Sequence, residues 1–241
     1  MTYDGDERLV DEKAATSVVW REAFAIIRKY PLATIAPAAV LGALAEAPAY
    51  LIEGRPVLDN ALTYLTAAFA YYLYLSYAEE IAAEYQRGVA RITLRGMLRE
   101  LRQAIPFVLR VLAAGLITLS IASVATGLLV IPGAWLYTRW SLSIPAIRSE
   151  DLGPVAALKR SNELARGRFW FVFGTATLAF FLEEALIHAG ALVGYLVSGS
   201  HTWGEWVGGS IIASLVIPLA ALTTSVAYSS VAKPAESTDG T

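Results

Sequence analysis

The chain has 241 residues, 56% hydrophobic and only 17% charged, where a soluble domain carries roughly a quarter charged residues. Its charge is clustered and leaves long uncharged segments, a pattern that selects the membrane class over a water-soluble domain. A net charge of −2 carries no nucleic-acid signal, and the absence of cysteine excludes disulfides, thiolate catalysis and Cys-ligated metal.

The first residues, MTYDGDERLVDEK, show no signal-peptide pattern, and residues 1–15 are expected to be a flexible acidic N-terminus. Thr16 and Ser17 can cap a helix over SVVWREAFAIIRKY. There Trp20, Phe24 and Ile27 fall on one side and Arg21 and Arg28 flank the other, as in an amphipathic interfacial helix. Pro31 opens a first apolar span, about 31–52, which holds one acid, Glu46. The second span, about 61–80, is rich in tyrosine (Tyr64, Tyr71, Tyr72, Tyr74, Tyr77) and exits through Glu79, Glu80 and Glu84. The tyrosines suit packing and interface anchoring better than a quinone or haem site.

In the next segment Arg91, Arg95, Arg99 and Arg102 make a basic stripe, and Leu94, Leu98, Leu101 and Ile105 an apolar one, on one predicted helix. No charge then occurs from Val111 to Thr138. The apolar stretch is too long for one crossing and is divided near Thr126–Gly127 into spans of about 105–125 and 128–147. Pro132–Gly133 should kink the latter or cap its start. Residues 154–166 form a short charged helix with Lys159, Arg160, Glu163 and Arg166 on one side and Val155, Ala157, Leu158, Leu164 and Ala165 on the other. The fifth span is about 169–197 and the sixth about 207–231. No Gly-x-x-x-Gly pair is expected cleanly within a span, although Gly208–Gly209 can bring the sixth helix close to a neighbour. The tail, residues 233–241, is expected to be flexible.

The expected fold is therefore all-α: a polytopic integral membrane protein, one domain over 16–232, with six transmembrane helices plus amphipathic cytoplasmic-face helices. Lys and Arg number five up to Lys29, six from Arg87 to Arg110 and five from Arg148 to Arg168, while the alternate loops hold only Arg55. Basic loops stay inside, so both termini are expected in the cytoplasm and the protein in the plasma membrane.

From Ile131 to Gly174 the sequence reads IPGAWLYTRWSLSIPAI, then SEDLGP, then ALKRSNELARGRFWFVFG. This stretch resembles a family of six-span prokaryotic membrane proteins. The family is named for the membrane domain beside some glycerophosphoryl diester phosphodiesterases, and YciC-like proteins are similar. The likeness rests on Pro132–Gly133, Arg139–Trp140, Pro145, Gly153–Pro154, Ala157 to Ser161, and Gly167–Arg168 with Trp170 and Gly174; Asn162 departs from the usual Trp. The resemblance implies a prokaryotic membrane protein and brings no catalytic residues with it.

Charged residues inside spans are costly and become functional candidates. Counting ~1.5 Å per residue from the basic anchors puts Arg139 roughly 13 Å deep and Glu79 and Glu80 roughly 10–12 Å deep. An intramembrane ion pair of Arg139 with Glu79 and Glu80 is expected, with a headgroup-binding Arg139 as the alternative. Glu46, Glu183, Glu184 and His188 fall roughly 22 Å or more from the anchors and form an outer polar layer. That layer could hold a cation, relay protons, or face a vestibule and pair with hydroxyls. Arg91, Arg95, Arg99, Arg102, Lys159, Arg160, Arg166 and Arg168 form a cytoplasmic collar for anionic lipid headgroups. The 154–166 helix is expected to lie along the interface apolar side down, or else to pack that side on the bundle. No cofactor is implied, and no phosphate-binding glycine loop, GxSxG or HExxH occurs. These readings point to a non-enzymatic accessory or scaffold for envelope or lipid processes. A small transporter or channel and a lipid-modifying enzyme are the alternatives.

Overall fold

A computed structural model describes residues 4–45, 56–128, 130–201 and 203–232. Among them all regular structure is helical. The order is α1 (Asp4–Lys29), α2 (Pro31–Ala45), α3 (Pro56–Gln86), α4 (Leu94–Leu128), α5 (Val130–Trp140), α6 (Ser143–Glu150), α7 (Pro154–Ala165) and α8 (Phe169–Val172). A π-helical turn (Phe173–Thr177) then leads into α9 (Leu178–Ser198), and α10 (Trp203–Ala232) follows. Among the described residues three stretches are long and apolar enough to cross a membrane: Leu94–Thr118, Phe169–Ser198 and Trp203–Ala232, of 25, 30 and 30 residues. A fourth arises if Ala15–Lys29 and Pro31–Leu44, bent by 90° at their junction, count as one. The structure departs from the expected elements at three places. α1 starts at Asp4, ahead of the Thr16–Ser17 cap. The basic helix after Arg91 runs without a break into the third span. The fourth span is interrupted at Ser141–Leu142.

The core gathers at one end of the bundle. Val19, Ala23 and Ile26 of α1 meet Tyr74, Tyr77 and Ile81 of α3, Leu142 and Ile147 beside and within α6, and Leu222 and Val226 of α10. The expected tyrosine stripe supplies much of this packing, and two of its members repair a helix. Pro37 has no N–H to give the Ala33 carbonyl. The Tyr77 hydroxyl donates to that carbonyl at 2.7 Å, and Tyr74 donates to the Thr34 carbonyl at 2.8 Å. α2 therefore keeps its Pro37 without a buried orphan acceptor. At the α1–α2 bend, Tyr30 donates to the Val89 carbonyl and meets Tyr85 edge-on, which locks the corner to the end of α3.

Elsewhere the helices turn large apolar side chains outward. Leu182, Leu186, Leu192, Val193, Leu196 and Val197 of α9 are all exposed, as are Ile211 and Leu215 of α10. Contiguous apolar surface of this kind is disfavoured in water and suits contact with lipid tails. α9 and α10 come into close backbone contact. Gly190 and Gly194 of α9 face Gly204 and Gly208 of α10, and among the described residues these two helices are in the most extensive contact. A Cβ on Gly190 would lie 2.8 Å from the Gly208 carbonyl oxygen, and one on Gly194 would overlap the Gly204 carbonyl. The expectation of no Gly-x-x-x-Gly pair within a span is thereby corrected: each helix of this hairpin carries one.

Gly194→Ala should force the two helices apart. Overpacking of this kind costs ~1–3 kcal/mol, so the melting temperature in detergent should fall measurably. Gly42→Ala, where a Cβ meets nothing within 4 Å, should leave it unchanged.

Candidate functional site

The site begins with the break between α5 and α6. Where a helix stops inside an apolar bundle, its open N–H and C=O groups need partners. Ser161 of α7 supplies both. Its hydroxyl donates to the Arg139 carbonyl at 2.8 Å and accepts from the Leu142 N–H at 3.1 Å, and Ser161 is fully buried. α7 is built to deliver that hydroxyl. Pro154 stands at its first turn after Gly153, a position that suits proline. Ala157, Leu158, Ser161 and Ala165 then share the buried face, while Lys159, Glu163 and Arg166 point outward. The apolar side thus packs on the bundle, apart from Val155, which is exposed. Gly167 follows with φ +82°, a left-handed conformation that lets the chain turn at once into α8.

A second irregularity lies opposite the break. The π-helical turn exposes backbone acceptors, and the Trp20 indole N–H donates to the Gly174 carbonyl at 3.0 Å. Thr177 donates to Thr138 of α5 at 3.0 Å, which ties the turn to the interrupted helix. Between the two irregular segments, α3, α4 and α10 enclose a cavity of about 50 Å³. Hydroxyls are prominent in its wall: Tyr71, Tyr72, Thr118, Tyr137, Thr224 and Ser225.

The acids Glu79 and Glu80 of α3 are partly buried, and Glu79 lies beside Ser225, which lines the cavity. The structure does not bring Arg139 to them. The Arg139 guanidinium lies 4.6 Å from the centre of the Trp135 ring, one turn back on α5. Arg148 of α6 takes its place. It pairs with Glu80 at 2.6 Å, donates to the Gln103 carbonyl at 2.9 Å and lies over the Phe107 ring. Glu79 accepts from Ser149 at 3.1 Å through Oε1. Its Oε2 is buried near the Ser225 hydroxyl without a hydrogen bond of acceptable geometry. The expected pair of Arg139 with Glu79 and Glu80 is therefore not formed; Arg148, on the next helix, is the cation at Glu80. The break explains the change: the chain between residues 139 and 148 is not one continuous helix, so depth cannot be counted along it.

Of the outer polar layer, Glu46 lies outside the described residues. Glu183 is 2% exposed and accepts a long hydrogen bond, 3.4 Å, from Tyr71. Glu184 and His188 are not drawn in beside it. His188 is exposed, and its Nδ1 lies 4.0 Å from Glu184 Oε2. Among the described residues no three His, Asp or Glu side chains converge as metal ligands. The pairing of Tyr71 with Glu183 escaped the sequence reading, because the two residues lie 112 positions apart on separate helices.

The basic residues collect at one end, as the contacts of α3, α4, α6, α7 and the end of α10 require. Arg110 pairs with Asp151 at 2.5 Å, and Arg168 donates to the Val231 carbonyl at 3.4 Å. Arg160 grips Glu150 through both carboxylate oxygens, at 2.8 and 3.0 Å, while Tyr228 donates to the same carboxylate at 2.7 Å. Desolvation pushes the Glu150 carboxyl up, but these bonds from Tyr228 and Arg160 outweigh it and hold the carboxyl below its ordinary value. Arg99 pairs with Glu100 at 2.9 Å. Arg91, Arg95, Arg102, Lys159 and Arg166 are exposed and have no acidic partner among the described residues.

Comparison with family models, curated proteins and solved structures gives no match for this chain.

Ser161→Ala should leave a buried carbonyl and a buried N–H unpaired. Each such group costs ~1–3 kcal/mol, so thermal unfolding in detergent should shift down by several degrees with the overall helix content retained. Arg148→Gln should strand Glu80 at a larger cost, ~3–5 kcal/mol for a buried pair broken on one side. Adding Glu80→Gln should recover part of that loss, and a double-mutant cycle by denaturant unfolding reads the coupling; strict additivity would place the two side chains apart.

Proposed function

We propose that this chain is a six-crossing membrane protein with both termini in the cytoplasm, a non-enzymatic accessory or scaffold for envelope or lipid processes that engages anionic lipid through its basic end. The observation that carries the reading is the separation of charge from apolar surface. Exposed Leu, Val and Ile cover the flanks of α9 and α10, and the exposed, acid-free cations Arg91, Arg95, Arg102, Lys159 and Arg166 cluster on the segments at one end. Apolar flanks suit the hydrocarbon core, and a ring of Lys and Arg beneath them suits phosphate headgroups. Three helices long and apolar enough to cross a membrane are compatible with this placement. The span that begins with α2, α3, and the interrupted α5–α6 would supply the other crossings, with α1 along the inner interface.

The proposed collar divides into two chemical roles. Arg99, Arg160 and Arg168 are engaged with Glu100, Glu150 and the Val231 carbonyl, and so hold the fold together. The five unengaged cations are the ones that can gather headgroups.

Each cation near an anionic leaflet contributes roughly 1 kcal/mol, screened by salt. In nanodiscs of mixed phosphatidylcholine and phosphatidylglycerol, Lys159→Gln with Arg166→Gln and Arg102→Gln should lower phosphatidylglycerol retention severalfold without changing stability. Arg160→Gln should instead lower stability. Lipid selectivity that stays unchanged in the triple variant at both low and physiological salt refutes the lipid-binding role.

A further inference from the structure

Two carboxylates, the buried Glu183 and the partly buried Glu79, each stand beside a hydroxyl residue that lines the cavity. Tyr71 lines it and donates to Glu183. Ser225 lines it too and lies next to Glu79. On α3, Tyr72, Ser76 and Glu79 recur at helical spacing on one face. Ser76 is fully buried there, and its hydroxyl has no partner. The cavity has room for a small cluster of waters and the polar wall that waters need. Both ends lead outward: Glu79 accepts from Ser149 at the basic end, and Glu183 precedes Glu184 and the exposed His188 on the far side.

From this arrangement we infer that Glu183, Tyr71, the water-holding cavity, Ser225 and Glu79 form a proton-transfer path through the bundle. An ionised carboxylate without a cation beside it is strongly disfavoured in apolar surroundings. Among the described residues Glu183 has no cationic partner. The groups facing it are Tyr71 and Tyr74 from α3, Tyr137 from α5 and Glu184 from its own helix. The positive charge it can carry itself is a proton. Glu79 is faced by Glu80 on its own helix, Arg148 and Ser149 from α6, and Ser225 and Tyr228 from α10. Arg148 is committed to Glu80.

The transfer balances without any redox partner. Tyr71 passes its hydroxyl proton to Glu183 Oε2 and is reprotonated by cavity water. That water draws a proton in turn from the Glu79 carboxyl, by way of the Ser225 hydroxyl. A protonated Glu79 and an ionised Glu183 thus become an ionised Glu79 and a protonated Glu183, and the reverse order moves the proton back. The interrupted α5–α6 and the π-helical turn fit this role, because irregular backbone at membrane depth is tolerated where it lines a wet cavity or is buried in protein.

The test is proton flux through the full chain in liposomes of phosphatidylethanolamine and phosphatidylglycerol, with a trapped pH-sensitive dye and a valinomycin-driven potassium potential. The protein should change the internal pH severalfold faster than protein-free liposomes do. Glu183→Gln and Glu79→Gln should return the rate to the protein-free value. Tyr71→Phe, which keeps the ring and removes only the hydroxyl, should slow it severalfold; it decides the matter if a Glu variant fails to elute as a folded species. A wild-type rate equal to that of protein-free liposomes overturns the inference. So does a folded Glu183→Gln or Tyr71→Phe protein with undiminished flux, or potassium leakage without valinomycin as fast as the proton flux.

Discussion

A helix interrupted inside an apolar bundle must have its open backbone groups satisfied by other parts of the protein, and the Ser161 hydroxyl does this between α5 and α6. Bonded to the Arg139 carbonyl and the Leu142 N–H, it lets the chain break beneath Trp140 and restart as α6. Everything nearby follows from that break. α6 brings Arg148 and Ser149 to Glu80 and Glu79, and its C-terminal Glu150 reaches Arg160 and Tyr228. The short charged helix α7 is the carrier of Ser161. Its basic outer side and its buried serine are two faces of one amphipathic segment.

The same rule recurs wherever regular helix is lost. Tyr77 answers the Ala33 carbonyl that Pro37 leaves open, and Trp20 answers the Gly174 carbonyl in the π-helical turn. In water these groups would be solvated at little cost. In surroundings without water each would be expensive, so aromatic side chains with one polar atom are spent on them. Such residues fill apolar space and supply a single hydrogen bond at the same time. This accounts for Tyr74 and Tyr77 of α3.

Charge is handled by the same economy. Cations that meet acids or carbonyls, such as Arg148, Arg160 and Arg168, fasten helices to one another, while unpaired cations remain at the surface of the basic end. The carboxylates Glu79 and Glu183 stand apart from both groups, beside a hydroxyl-lined cavity. That exception sets these two acids apart from the rest of the packed interior. At the opposite end, four glycines let the α9–α10 backbones touch, and the side chains that would have filled the gap are turned outward instead.

Much of the frame was legible in the sequence. Long apolar runs marked the later part of α4, the stretch from Phe169 to Ser198, and α10; the spacing of Ala157, Leu158 and Ala165 marked the buried side of α7, while Ser161 was not read as part of it. The Gly190–Gly194 spacing was also present in the sequence, but the reading expected no such pair within a span and the structure corrected it. The partner of Glu80 was not readable. Position along a straight helix predicts depth, but the turn at Ser141–Leu142 uncouples Arg139 from Arg148, and only the packed bundle decides which guanidinium arrives at the acid. Nor could one dimension show that Tyr71 meets Glu183, or that Tyr71 and Ser225 line one cavity. Those residues are distant in the chain and meet only because α3, α9 and α10 are held side by side. The sequence by itself determined helical segments and the end at which charge gathers, because these depend on local periodicity and composition. The tertiary structure alone decided which buried polar groups are paired and which are left facing the cavity, because that depends on how interrupted helices are rejoined.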